Sequence, residues 1–299
     1  MMDTVLLLGA GASHGSDTLD VPPLGNELFD ALCRFNPDGW GAITGELAQH
    51  FRTDFENAMQ SVSQQSLAPL QRAMAAYFFA FYPNQSNLYV ALANRIAARK
   101  WAGAICTLNY ERLLELSLMH ADVQPFIVSP PAVRHAIELC LPHGCCHLFC
   151  DSARGQSGAV VFSGYDVRTD GTMSVVADPH RHGARITQGA FPPVMSYFEP
   201  QKRTTAEHSF IEGQRNRWSA LASSAKTIVV IGVQVRPHDD HIWNPIAASP
   251  ARVVYCSGPS AADGYADWAK THRVTQNDRV LKGYFKEEFD PLCCELGLR

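Results

Sequence analysis

The chain lacks any apolar run near the roughly 20 residues that span a bilayer, and it has no basic block, no internal repeat and no low-complexity tract. The first absence argues against a membrane-spanning helix. The second, with a formal charge of −4, removes the electrostatic reason to expect a nucleic-acid or anionic-membrane surface. The opening "MMDTVLLLGA" has no basic segment before its short apolar run and closes in a glycine turn, unlike a secretory signal. A disulfide framework is also not indicated: the nine cysteines, an odd count with several set in apolar runs, suit reduced thiols and a cytoplasmic location. What is present is a folded composition. With 46% hydrophobic and 18% charged residues over 299 positions, the chain has material for one large core or two lobes.

Short apolar runs closed by turn residues read as inner strands of a parallel sheet. They are Val5 to Leu8, "GAICTLN" at 103–109, "IELCLPHG" ending in a Pro-His-Gly turn at 142–144, "TIVVIG" at 227–232 and "RVVYC" at 252–256. Between them, apolar residues at three and four spacings predict helices near 24–35, over much of 42–99 with breaks at Pro69 and Pro83, from near Glu111, over 208–224, from about Asp240, over 262–270 and near 286–296. Residues 151–206 read as loops with short strands. The alternation predicts an α/β fold, a Rossmann-like doubly wound parallel sheet with a helical insertion. The expected organisation is a single domain over 1–299, with 1–35 and 101–299 forming the Rossmann-like lobe and 36–100 the insertion.

Four polar clusters follow predicted strands. In "GAGAS", residues 9–13, Gly9 and Gly11 would let backbone amides approach a phosphate, with Ser13 adding a hydroxyl. A structural turn fits equally, because the dinucleotide fingerprint wants glycine where His14 stands. In "CTLNYERLLE", residues 106–115, Thr107, Asn109 and Glu111 sit on a strand-to-helix turn, where Asn109 as a helix cap is the plain alternative to a ligand-binding role. His143 in "LPHG" can titrate near neutral pH or be a packed structural histidine. In "VVIGVQVRPHDDHIWNPI", residues 229–246, Gly232 ends a strand, and Asp239 and Asp240 open a helix as a cap and a solvated carboxylate. Two further clusters are weighed as metal sites. In "HGCCHLFC", strand alternation would split His143, His147 and the thiols between two faces, and in "DPHRHG" His180 and His182 fall in a solvated loop, so no metal is expected.

The joint order of these motifs resembles the sirtuin (silent information regulator) family, most of all its bacterial branch that hydrolyses NAD in antiphage defence. The resemblance spans about residues 5–256 and implies an NAD site. Gly9, Ala10, Gly11, Ala12 and Ser13 would line phosphate and ribose, Thr107 and Asn109 would lie near the ribose, and His143 would accept a proton. Glu111 would stand where the family holds the nicotinamide amide, and Gly232, Val233 and Asp240 would lie toward the adenosine. Three departures are visible. The paired cysteine motifs of a zinc ribbon are missing, since the next cysteine after Cys145, Cys146 and Cys150 is Cys256; Glu111 replaces an aspartate; and "GVQV" at 232–235 replaces "GTSL". The resemblance implies an NAD glycohydrolase releasing nicotinamide and ADP-ribose, held in check by homo-oligomerisation or by a partner such as a motor ATPase or a prokaryotic Argonaute. A protein deacylase and a non-catalytic NAD or ADP-ribose sensor are the alternatives.

Overall fold

A computed structural model describes residues 3–151, 171–204, 207–273 and 277–299. In chain order it comprises β1 (Thr4–Leu8), α1 (Ala10–His14), α2 (Gly25–Phe35), α3 (Gly45–Thr53), α4 (Phe55–Met59), α5 (Gln64–Phe79), α6 (Leu88–Arg99), β2 (Ala104–Thr107), α7 (Leu113–His120), β3 (Gln124–Phe126) and β4 (Ala136–Cys140). There follow β5 (Leu148–Cys150), β6 (Met173–Val175), α8 (Pro179–Gln188), α9 (His208–Ser224), β7 (Thr227–Ile231), α10 (Asp240–Ala248), β8 (Arg252–Cys256), α11 (Pro259–His272), β9 (Arg279–Leu281) and α12 (Phe289–Glu295).

Seven strands form one sheet in the order β3-β4-β2-β1-β7-β8-β9, with every neighbouring pair parallel. This is the expected α/β architecture, a doubly wound sheet flanked by helices. Successive side chains of a strand point to opposite faces, and here both faces are covered, which is why β1 and β7 are continuous apolar runs. Leu6, Leu8, Val229 and Ile231 pack toward α2 to α7 and α12, while Val5, Leu7, Ile228 and Val230 pack toward Trp218 of α9, Ile242 of α10 and Tyr265 of α11. Burying one such aliphatic side chain contributes about 1.5–3 kcal/mol, so the central strands form a stiff platform.

The chain runs from β1 outward through β2 and β4 on one side and crosses to β7 on the other. The strand order therefore reverses between β1 and β7, and a crevice opens beyond their carboxyl ends. Two stretches depart from the sequence reading. The "DPHRHG" segment begins α8, a helix opened by the Asp178 carboxylate, which accepts from the Arg181 amide, with Pro179 at its first position. The segment 144–147 is a turn rather than a strand, so face alternation does not apply there. Among the described residues, no helix is long and apolar enough to cross a membrane.

Candidate active site

Beyond the carboxyl ends of β1, β7 and β8 lies a cleft of about 1000 Å³. Its floor is backbone. Gly9 donates its amide to the Ile231 carbonyl and Gly11 donates to the Gly232 carbonyl, each at 3.0 Å. A Cβ at Gly9 would stand 2.6 Å from the Gly232 oxygen, and Gly232 itself has φ +69. The visible purpose of the two "GAGAS" glycines is thus close backbone contact between two strand exits. α1 follows at once and is five residues long, so the first turn and not a long dipole shapes this floor.

Of the residues expected at the site, Gly9, Ala10, Gly11, His143, Gly232 and Val233 line the cleft. Ala12, Ser13, Thr107, Asn109 and Glu111 do not; they are buried around it. The Ser13 hydroxyl donates to Glu111 Oε1 at 2.5 Å and accepts from Asn109 Nδ2 at 2.7 Å and, its proton being spent, from the Tyr89 hydroxyl at 3.0 Å. Glu111 Oε2 accepts the Leu113 amide at 2.5 Å, so the glutamate caps α7. Asn109 is not the cap, since the helix starts four residues later and its own amide N–H donates to the Thr107 hydroxyl at 3.1 Å. Burial pushes the Glu111 carboxyl up to about 7, against the hydrogen bond from Ser13. Asp240 is exposed at the start of α10 and borders a shallow surface depression; its neighbour Asp239 lines the cleft.

His143 is placed by the turn after β4. The Gly144 amide donates to the Leu141 carbonyl at 2.9 Å, and the Ser196 amide donates to the His143 carbonyl at 2.8 Å. The imidazole packs on Tyr110 with ring centroids 6.2 Å apart, and its Nε2 lies 2.8 Å from Nε2 of His241. Burial first, then His241, Lys202 and Arg215, holds the His143 imidazole well below its ordinary pKa, so the ring is neutral. A neutral imidazole keeps a lone pair with which to accept a proton or bind a metal.

Several cleft residues carried no functional signal in the sequence. Glu56 of α4 binds Lys202 at 2.9 Å, His238 at 2.7 Å and Arg236 at 3.1 Å. Burial opposes the Glu56 charge, but Lys202 and Arg236 outweigh it and hold the carboxyl below its usual range. The Tyr110 hydroxyl and Asp239 Oδ1, both on cleft-lining residues, are buried without a hydrogen-bond partner. No spacing rule finds these groups, because α4, the 198–204 segment and the 234–239 loop meet only in the folded chain.

No protein-family model matches the chain, and no curated protein matches it by sequence. Solved structures do. A Sir2 homologue solved as an NAD complex is 16% identical, with 99% of this chain and 91% of that chain covered and a TM-score of 0.50. A Sir2 homologue mutant solved with ADP-ribose is 15% identical, with 98% and 91% covered and a TM-score of 0.50. The fold is that of the Sir2 proteins.

Proposed function

We propose that this protein binds NAD in the cleft and cleaves the bond between nicotinamide and ribose, with water as the acceptor. The observation that carries the reading is the His143 imidazole on the wall of a cleft at the sheet's switch point, where an α/β fold binds its ligand. The NAD and ADP-ribose complexes of Sir2 homologues, which share this fold, support the choice of ligand.

Departure of nicotinamide leaves positive charge on the ribose, an oxocarbenium-like transition state. Asn109 lies behind the cleft lining with its Nδ2 committed to Ser13, so its Oδ1 is the atom left to accept from a ribose hydroxyl or orient the water, the role that the sequence resemblance implies. His143 would take the proton released as water adds, directly or through a ribose hydroxyl, a contribution of about 10²–10⁴ in rate. Asn109→Ala and His143→Ala should each leave a folded protein with NAD turnover reduced by about that factor. Turnover at the parent rate in either would remove the residue's role.

The Sir2 fold itself favours a second reading, an NAD-dependent protein deacylase in which an acyl-lysine carbonyl replaces water. Two features support water. After Cys145, Cys146 and Cys150 the next cysteine is Cys256, too distant for the paired spacing of a four-thiolate ribbon. The cleft wall near His143 also carries the Glu56–Lys202 and Glu56–Arg236 ion pairs, which an extended peptide entering there would have to displace. Incubation with NAD, with and without acetylated peptide, followed by chromatography, separates the two. Nicotinamide and ADP-ribose without peptide support hydrolysis; nicotinamide formed only with peptide supports deacylation. NAD bound without turnover in any assembled state would make the protein a sensor. A role as an antiphage effector that depletes NAD, restrained by self-assembly or by a motor ATPase or Argonaute partner, rests on the sequence resemblance.

A further inference from the structure

His143, Asp239 and His241 come from the β4 turn and the start of α10, and their three potential ligand atoms lie within 4.8 Å of one another. We infer that these three side chains form a site for a transition-metal dication such as Zn²⁺, opening onto the cleft.

The ligand set of two imidazoles and one carboxylate suits a borderline cation and leaves a fourth position for water or a ligand. The His143 ring donates a hydrogen bond to the Leu108 backbone carbonyl, the kind of outer contact that fixes the tautomer of a metal-binding histidine. The His241 ring faces the His143 ring with centroids 5.0 Å apart. Asp239 is 8% exposed, and its Oδ1 has no hydrogen-bond partner. A buried carboxylate oxygen without a partner is unfavourable, and a dication would satisfy it.

The imidazole pair needs little adjustment. Donors at about 2.0–2.1 Å from a tetrahedral metal stand about 3.3 Å apart, so the two imidazole nitrogens, now at 2.8 Å, would open by about half an ångström. Lys202 and Arg215 are the cations whose fields reach both rings. Lys202 is paired with Glu56 at 2.9 Å, and Arg215 donates to the Lys202 carbonyl at 3.0 Å. This site is distinct from Cys145, Cys146 and His147, a second convergent group that is fully buried and contains thiols. If His143 is the proton acceptor proposed above, a bound metal would hold its lone pair and inhibit NAD cleavage; that consequence rests on the functional reading, whereas the site does not.

Titration of the whole protein with Co²⁺ alone tests the site without reference to activity. The expected result is about one equivalent bound per chain, with visible d–d absorption and no near-ultraviolet sulfur-to-cobalt charge-transfer band. Asp239→Asn and His241→Gln, checked for folding by circular dichroism, should each weaken binding at least about hundredfold, since losing a mere outer-shell partner already costs 10–100-fold. Absence of binding, a strong sulfur band, or unchanged affinity in both variants would overturn the assignment.

Discussion

A methyl group built on Gly232 would stand 1.9 Å from the amide nitrogen of Ala12. The exit of β7 and the first turn after β1 therefore meet backbone to backbone, and the floor of the cleft is the seam between them. Gly232→Ala meets this contact and also a positive φ of 69, a conformation that costs a non-glycine residue about 1–3 kcal/mol before any clash. The expected loss is about 3 kcal/mol or more, read by chemical denaturation. Gly264→Ala in α11 is the control, with nothing within 4 Å of the added carbon. It should stabilise by about 0.5–1 kcal/mol, the helix preference of alanine over glycine. Equal effects at the two sites would contradict the seam.

Ser13→Ala should behave as a core lesion as well as a site variant. It removes the acceptor of Asn109 and Tyr89 and the donor to Glu111 in one step. Leaving buried polar groups unpaired costs about 1–3 kcal/mol each, so a loss of about 2–4 kcal/mol is expected by urea melts. Tyr89→Phe removes one arm and should cost about 1 kcal/mol. A Ser13→Ala protein as stable as the parent would show that the network does not hold the β1 exit against α6.

The sequence made the centre of the sheet legible because β1, β7 and β8 are buried on both faces and so appear as unbroken apolar runs. The edges were not. β3 and β9 have three residues each and only partial burial, too short for a period to register. α8 was hidden by Gly183 and its charged residues, although Asp178 followed by Pro179 is a helix-start signal that was present to be read. At the site, the strand-end residues were readable because glycine, asparagine and histidine after strands are themselves signals. His241 was not, since its meaning depends on His143, 98 positions away, and no local pattern encodes that distance. The "DPHRHG" histidines show the same limit. His182 is 3% exposed and lies on Phe79 with ring centroids 3.7 Å apart, in a helix where a solvated loop was expected.

Glu111 gives stability a dependence on pH. Its folded pKa is near 7 against an ordinary 4.5, raised by burial first. Below pH 4.5 both folded and unfolded chains carry the proton. As pH rises from there through 7, the unfolded chain ionises first and stability falls, by up to about 3 kcal/mol, because each pH step of one between the two pKa values costs about 1.4 kcal/mol. Glu111→Gln can imitate the protonated network, with its amide donating to Ser13 and its carbonyl accepting from Leu113. The variant should flatten the decline between pH 5 and 7.5, measured as ΔG of unfolding at half-unit steps, although the neighbouring buried Glu115, also raised by burial, retains part of it. An unchanged slope would place the proton elsewhere.

The Glu56–Lys202 pair ties α4 to the segment after Phe198, with side chains 13% and 5% exposed. Removing one partner of a buried pair strands the other charge, at about 3–5 kcal/mol when burial is complete; the partial exposure of Glu56 brings the expectation for Glu56→Gln to about 2–3 kcal/mol. The Arg236 arm is 42% exposed and should contribute little. Because the Glu56 carboxyl is held below its usual 4.5 by Lys202 and Arg236 despite its burial, the pair's stabilisation is present above that pH. It is lost as pH falls through the folded value, so Glu56→Gln should be less sensitive to acid than the parent. A double-mutant cycle with Lys202→Met separates the pair from general packing. Coupling of about 1 kcal/mol or more that persists in high salt is the expected sign of a shielded pair, whereas the exposed Lys282–Asp263 pair, 72% and 68% exposed, should lose whatever coupling it has. Strict additivity of Glu56→Gln and Lys202→Met would mean that the two charges ignore each other, and would remove the ion-pair argument for a water-sized acceptor beside His143.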